Sequence, residues 1–140
     1  MITEQITETA SFFDTSVVGY VVMPSHVHML IGMPDMSLLS KCIQSFKSIT
    51  ARRLLGALKE SSSTLSCSSR PHKLWKRRFD DVIITSELQF RRKLQYIHDN
   101  PVKAGFVKES IDWEYSSARS WILGEPGLIT IDRKYGWLYV

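Results

Sequence analysis

The stretch from Val17 to Met33 restricts the possible folds more than any other part of this chain of 140 residues. It is apolar and rich in β-branched side chains, a composition typical of strands. Pro24-Ser25 interrupts it, and no apolar run in the chain reaches the roughly 18 residues that a membrane span needs. Because Pro-Ser makes a poor tight turn, we predict one strand with a kink or bulge at Pro24 and not a two-strand hairpin.

His26 and His28 follow this interruption, with one apolar residue between them. Alternate side chains of a strand share a face, so both imidazoles are expected to point the same way. Two such imidazoles can bind one divalent cation, for which imidazole is a common ligand. The alternative is a pair of structural histidines on a half-exposed strand. A metal site would also need a third ligand from elsewhere in the chain.

Helical spacing of apolar residues predicts three helices. The first covers residues 2–13. The second begins at a Ser37 cap and runs to about Leu58, and the third begins at Ser86 and runs toward Asn100. Ser86 and Gln89 have the spacing of a capping box, and Pro101 is expected to end the third helix. Val82–Thr85, just before it, is predicted to be a short strand.

The third predicted helix carries a tyrosine away from its apolar stripe. Phe90, Leu94 and Ile97 form that stripe, and Tyr96 lies about 120° from it at about 100° per residue. Its neighbours one turn away are Arg92 and Asn100. A free phenol is a poor nucleophile at neutral pH, but nearby cations make its anion more accessible. The alternative is a ring that covers the core while its hydroxyl meets water.

Positive charge is confined to the later part of the chain. Residues 1–40 contain four acids and no Lys or Arg, whereas the remainder holds all 18 basic residues and 10 acids. The densest cluster, RPHKLWKRR at residues 70–78, surrounds Trp75 and contains no acid. Cations for phosphates beside an aromatic ring for base stacking are typical of nucleic-acid binding. The alternative is an ordinary solvated surface.

Length, cysteines and the N-terminus set the remaining limits. A chain of 140 residues suits one domain. Cys42 lies among apolar residues and Cys67 lies in a serine-rich stretch, which is not a disulfide framework. Residues 1–10 are polar and acidic and do not resemble a signal peptide. These features predict a cytoplasmic protein with no membrane partner.

Four blocks of sequence together resemble one known family. GYVVMPSHVHMLIGMP is similar to the His-hydrophobic-His strand of the single-tyrosine, single-strand DNA transposases of the HUH superfamily, which include the IS200-like proteins. LWKRRFDDVII, YIHDNPVKAGFV and WEYSSARSWILG resemble the blocks that follow, particularly in the REP-associated tyrosine transposases. The resemblance covers residues 17–124, and the order of the blocks makes it specific.

The resemblance implies an α+β fold: a ferredoxin-like central antiparallel sheet with helices packed mainly on one face. Residues 1–140 would form a single HUH-type domain. Family members carry a strand before the first helix, so either this chain lacks it or another element fills that sheet edge. An open edge invites pairing with a second chain, and a monomer and a homodimer both stay open.

The resemblance also implies the residues of the site. Tyr96 would be the nucleophile, and His26, His28 and Asn100 would hold a divalent metal, Mg²⁺ or Mn²⁺. The single-stranded DNA partner, containing a hairpin, would be bound by basic residues of three regions of the chain. These are Lys47, Arg52, Lys76, Arg77, Arg78, Arg92 and Lys103.

The implied activity is transposase-type nicking and rejoining of single-stranded DNA at hairpins, through a 5′-phosphotyrosine. Two alternatives compete with it. One is a module that binds DNA hairpins without cleaving them. The other is a metal-dependent phosphodiesterase that uses water, in which Tyr96 is structural.

Overall fold

The computed structural model describes residues 1–61 and 74–134. Most of the serine-rich stretch, with Cys67, Arg70 and His72, lies outside the described residues, as do the C-terminal aromatics from Tyr135 onward. Two strands and four α-helices are described: α1 Ile2–Phe12, β1 Ser16–Val22, β2 Val27–Gly32, α2 Leu39–Ser61, α3 Glu87–Lys103 and α4 Ala118–Ile122. None of these helices is long and apolar enough to cross a membrane.

The prediction of one kinked strand around Pro24 is wrong, because the chain forms a hairpin there. β1 and β2 pair antiparallel, with Val22 opposite Val27 and an irregularity between Val17 and Gly19. The loop is closed by the Met23 N–H, which donates to the His26 carbonyl at 2.8 Å. Pro24 lies inside this loop, where its missing N–H removes no ladder hydrogen bond. β1 ends at Val22 and β2 begins at Val27, so four residues connect the strands and not Pro24-Ser25 alone.

The two faces of the hairpin carry different helices. Tyr20 on one face forms a buried cluster with Ile6 of α1 and Phe46 of α2. Val21 on the opposite face forms a second cluster with Ile97 of α3. The predicted α+β class with an antiparallel sheet is confirmed, with helices on both faces of the two described strands. The sheet therefore separates α1 and α2 from α3.

The segment after residue 112 covers the outer edge of β1. The Val22 N–H donates to the Tyr115 carbonyl at 2.8 Å, and the Ser117 N–H donates to the Tyr20 carbonyl at 3.0 Å. Two indoles bond the same strand, Trp113 to the Val22 carbonyl at 3.0 Å and Trp121 to the Val18 carbonyl at 2.8 Å. Backbone groups of β1 that an open edge would leave unpaired thus have partners.

Helix ends differ from the prediction at two places. Asp35, not Ser37, is the cap that precedes α2: its carboxylate accepts from the Ser37 N–H at 3.0 Å and starts a 3-10 turn over Met36–Leu38. Pro101 does not end α3, which continues to Lys103. A proline interrupts hydrogen bonds only toward the preceding turn, so a helix can carry one close to its end.

The predicted cap of α3 is present, whereas the strand predicted just before it is not. The Ser86 side chain accepts from the Gln89 N–H at 3.1 Å, which confirms the predicted cap. The Gln89 side chain returns to the Thr85 N–H at 2.8 Å, one residue earlier than in a standard capping box. The predicted strand at Val82–Thr85 is wrong, since these residues have no strand structure. β-branched residues form strands only where a partner strand accepts them.

Buried His98 predicts a pH-dependent stability. Its Nε2 lies 2.8 Å from the Ser117 Oγ, and burial lowers the pKa of His98 from 6.5 to about 4. The unfolded chain therefore binds more protons than the folded chain between these values, so stability falls as the pH falls through this window. We expect His98 to reduce the free energy of unfolding by about 2 kcal/mol between pH 7 and pH 5.

The measurement is urea unfolding at both pH values, with chelator present. His98→Gln keeps a polar group for Ser117 but cannot titrate, so its loss between the two pH values should be about 2 kcal/mol smaller than that of the wild type. Burial also lowers the pKa of His28. The titration of His28 contributes equally to the pH dependence of the free energy of unfolding in both proteins. An identical loss in both would contradict the role of His98.

Candidate active site

The structure brings three aromatic side chains together: His26, His28 and Tyr96. The imidazole centroids of His26 and His28 are 4.8 Å apart, and the His28 centroid is 5.6 Å from the centre of the Tyr96 ring. Both pairs meet edge to face, at 78° and 76°. The tyrosine is 70 positions beyond His26 in the chain. The phenol remains 48% exposed, so a substrate can reach it.

Strand alternation and one glycine produce this meeting. His28 is paired with Val21 and Leu30 with Gly19, on the face of the hairpin that packs against α3. A Cβ at Gly19 would lie 2.6 Å from the Leu94 Cδ1, closer than real carbon atoms approach. The end of the Leu94 side chain thus occupies the space beside Gly19, where α3 packs on the sheet. Tyr96, two residues beyond Leu94, is then held beside His28.

The environment of His28 favours its neutral form, and a hydrogen bond orients His26. Burial lowers the pKa of His28, and the neighbouring charges of His26 and Lys93 lower it further. The Nδ1 of His26 lies 2.9 Å from the Ser25 Oγ, a bond that fixes the ring and leaves Nε2 free. Metal ligation requires a neutral imidazole, and a hydrogen bond to the second ring nitrogen orients such ligands.

Asn100 lies one helical turn after Tyr96. Because α3 continues through Pro101, Asn100 has helical geometry and shares the face of Tyr96 more closely than a helix ending there would allow. Its Nδ2 is buried and has no hydrogen-bond partner within residues 1–61 and 74–134. Amide oxygen and nitrogen exchange places by a flip of the side chain. The amide therefore has unused hydrogen-bonding capacity that a ligand or metal could take up.

These residues fit a divalent cation. Two imidazoles on one ion, with nitrogen to metal distances of about 2.1 Å, have ring centres roughly 4.5–5 Å apart, and the observed separation of the His26 and His28 centroids is 4.8 Å. In the described part of the chain, no group of three His, Cys, Asp or Glu side chains is placed to hold an ion. A third protein ligand would therefore come from another side-chain type, and Asn100 offers an unpaired amide.

A lysine contacts the other side of the phenol. The Lys103 Nζ lies 5.5 Å from the centre of the Tyr96 ring, within the range of a cation–π contact. Arg92, one turn before Tyr96, is exposed. α3 therefore carries Tyr96 with one cation on its ring and another one turn earlier, an arrangement suited to an anionic substrate such as a phosphodiester.

A comparison with known protein families agrees with the grouping of these residues. The family model described as "Transposase IS200 like" matches residues 1–100, which include both histidines, Tyr96 and Asn100. The chain belongs to this family. The predicted membership is thereby confirmed, and of the predicted site residues only Lys103 lies beyond the matched region.

Individual relatives have REP-associated names. A Haemophilus influenzae protein named as a REP-associated tyrosine transposase is 28% identical over 111 residues, 79% of this chain and 62% of its own length. The Escherichia coli REP-associated tyrosine transposase is 28% identical over 99 residues, 71% of this chain and 52% of its own length. The chain thus spans less than two thirds of the length of each of these curated relatives.

A solved structure shares the fold. It is described as a REP-associated tyrosine transposase bound to a REP hairpin, and it superposes with a TM-score of 0.62 at 22% identity. The match covers 99% of this chain and 76% of that chain. This likeness supports the arrangement of the β-hairpin and the helices described above.

The other predicted DNA-binding residues lie on the α2 side of the β-hairpin. The Lys47 Nζ donates to the carbonyls of Lys76 and Arg78 at 3.0 and 3.2 Å, so it fixes the basic segment to α2. The side chains of Lys76, Arg77 and Arg78 are exposed. Arg52 is also exposed, and its Nε donates to the Ser48 carbonyl at 3.4 Å. The predicted DNA-binding residues thus form two groups on opposite faces of the sheet, and Arg92 and Lys103 are the two of them that lie on the Tyr96 helix.

Two contributors to the site were not predicted from the sequence. Ser25 holds the His26 ring, and its position directly before His26 is a usable signal, since a neighbouring hydroxyl can reach Nδ1. Gly19 permits the close approach of α3. A glycine inside a strand pattern indicates close approach of backbone or helix, but the sequence alone does not say which helix approaches.

Proposed function

We propose that this protein nicks and rejoins single-stranded DNA at hairpin sequences, with Tyr96 as the nucleophile. The observation that carries the proposal is the 5.6 Å separation of the Tyr96 and His28 rings, next to the His26–His28 pair. A lone tyrosine on a helix has many structural roles. A half-exposed tyrosine beside two imidazoles and a lysine is suited to attack on a phosphate.

The proposed reaction exchanges one ester for another. The Tyr96 oxygen attacks the phosphorus, the bond from phosphorus to the 3′ oxygen breaks, and the strand ends as a 3′-hydroxyl and a 5′-phosphotyrosine. The phenol gives up a proton and the departing 3′ oxygen gains one, so no external energy source is needed. Attack by a different 3′-hydroxyl on the phosphotyrosine reverses the step and rejoins the DNA.

His26, His28 and Asn100 would hold a Mg²⁺ or Mn²⁺ ion. Such an ion, when bound, polarises the non-bridging phosphate oxygens and orients the phosphate. The chain's own contribution is to keep His28 neutral through its burial and to orient His26 through the bond to Ser25. The unpaired Asn100 amide supports its place as the third ligand.

The proposed substrate is a single strand that folds into a hairpin. The relatives' REP-associated names and the hairpin bound in the solved neighbour support this choice. Lys103 and Arg92 lie on the same helix as Tyr96 and would contact the phosphates on either side of the reacting one. The deciding experiment is to incubate the protein with hairpin DNA and Mg²⁺ or Mn²⁺ and look for a covalent adduct on a denaturing gel.

The basic segment on the α2 side predicts a salt effect. Arg77 and Arg78 are exposed, and each phosphate contact contributes about 0.7–0.9 to the slope of log K against log salt concentration. Replacing both by glutamine should weaken hairpin binding and lower that slope by roughly 1.5. The measurement is the dissociation constant at four or five salt concentrations.

Arg119→Gln is the matched control. The Arg119 guanidinium is already paired with Glu125 at 2.7 Å, so its replacement changes the net charge without removing a free cation. Its salt slope should equal that of the wild type. If the slope of the Arg77 and Arg78 variant is also unchanged, the segment is an ordinary solvated surface.

A further inference from the structure

Three aromatic rings form an exposed cluster next to the candidate active site. The rings of Phe106 and Trp113 are stacked, with centroids 5.5 Å apart at 28°, and Tyr115 meets Trp113 edge to face at 6.1 Å. Phe106 is 53% exposed and Tyr115 is 46% exposed. We call Phe106, Trp113 and Tyr115 the aromatic platform. Large exposed rings grouped in this way mark interaction surfaces more often than single exposed apolar residues do.

The platform is fixed directly to the strand that leads into the histidine loop. The Trp113 indole donates to the Val22 carbonyl at 3.0 Å, and the Val22 N–H donates to the Tyr115 carbonyl at 2.8 Å. The ladder partner of Val22 is Val27, which lies between His26 and His28. Phe106 follows three residues after Lys103, the lysine over Tyr96. Both the sheet and α3 therefore tie the platform to the site.

The end of α3 partly explains why an apolar residue stands at Phe106. Gly105, with φ +79°, ends α3, and the Phe106 N–H donates to the Pro101 carbonyl at 3.0 Å. This is a Schellman-type end, in which an apolar side chain after the glycine packs on a neighbour. Any apolar side chain would meet that need. A flat ring stacked on an indole is not required by it, and its outer surface stays open to solvent.

Charge indicates how DNA would lie on the platform. The segment from Phe106 to Tyr115 exposes three acids, Glu109, Asp112 and Glu114, against one lysine, Lys108, and its net negative charge repels phosphates. Lys103 and Arg92 lie on α3 instead. A strand with its phosphates along α3 would point its bases toward the rings. Bases of a duplex are stacked and paired and cannot be reached in this way, but unpaired bases can.

We propose that the aromatic platform stacks an unpaired base of the single-stranded extension next to the phosphate that Tyr96 attacks. The inference rests on the proposed function, which it deepens by assigning a base-binding surface. Stacking on an aromatic side chain tolerates any base. The platform therefore selects single-stranded over paired DNA at this position and does not read its sequence.

The test uses one DNA hairpin in three forms: blunt, with a short single-stranded extension, and with that extension made abasic. Loss of one stacked base weakens binding roughly tenfold. We expect Phe106→Leu, which keeps an apolar side chain at the helix end, to bind the extended hairpin about tenfold more weakly and the blunt hairpin as the wild type does. Phe106→Trp restores a flat ring and should restore the affinity.

Phe12→Leu is the matched control, since Phe12 is an 82% exposed ring on α1. It should leave all three affinities unchanged. The wild type should bind the abasic form about tenfold more weakly than the intact extension, a result that holds even if Phe106→Leu fails to fold. The proposal is overturned if the wild type binds both extensions equally, or if Phe106→Leu loses the same affinity for the blunt hairpin. Failure of the proposed function looks different, because the wild type would then form no covalent adduct.

Discussion

We expect Tyr96→Phe, which removes the proposed nucleophile, to abolish the covalent protein–DNA adduct and to reduce strand cleavage by on the order of 10³-fold or more, the scale on which loss of a nucleophile acts. The substitution removes one oxygen and leaves the ring beside His28 and Lys103. Hairpin affinity should therefore change little, since phosphate and base contacts dominate it. The measurements are adduct formation on a denaturing gel and the dissociation constant of the same hairpin.

Tyr20→Phe is the matched control. Tyr20 is fully buried in the cluster with Phe46, on the face of the β-hairpin opposite the site. Loss of its hydroxyl should therefore leave the adduct intact. Cleavage that persists in Tyr96→Phe would indicate a water-dependent phosphodiesterase. Tight hairpin binding by the wild type with neither adduct nor cleavage would indicate a module that only binds DNA.

We expect His28→Ala to remove the proposed metal-dependent cleavage and the metal binding together. Loss of an outer-shell partner costs roughly 10–100-fold in metal affinity, so loss of a direct ligand should cost more. The experiment titrates Mn²⁺ alone into the protein, which separates metal binding from activity. His26→Ala should behave in the same way. Ser25→Ala, which removes only the bond to the His26 Nδ1, should fall between these variants and the wild type.

His98→Gln is the control for this series. His98 is buried and bonded to Ser117, so its loss should alter stability without altering Mn²⁺ affinity. DNA affinity should be nearly the same in His28→Ala and the wild type. Equal Mn²⁺ affinity and equal cleavage in His28→Ala and the wild type would refute the metal site.

Local sequence rules were sufficient for the elements that carry the site. Alternation along a strand places His28 on one face of the hairpin, and helical spacing moves Tyr96 off the apolar stripe of α3. Both follow from the period of the backbone, which is 2 in a strand and 3.6 in a helix. The cap at Ser86 follows in the same way, since its partner Gln89 is only three residues away.

The failures have a common cause. The hairpin at Pro24 depends on a wider loop than the dipeptide rule considers, and Val82–Thr85 stays irregular because no described strand pairs with it. The end of α3 depends on Gly105 and Phe106 more than on Pro101. In each case a single residue's preference was outweighed by its partners: residues within one turn at Pro24 and Pro101, and a missing strand partner at Val82–Thr85.

The sequence by itself determined the chemistry of the parts: two imidazoles on one face, a phenol with cations one turn away, and basic residues beyond position 40. The tertiary structure alone decided that the imidazoles and the phenol meet. Where α3 packs on the sheet, the end of the Leu94 side chain fills the space that a side chain at Gly19 would take. Local periodicity orients a side chain about its own element, whereas the distance between two elements is set by the packing of the side chains between them.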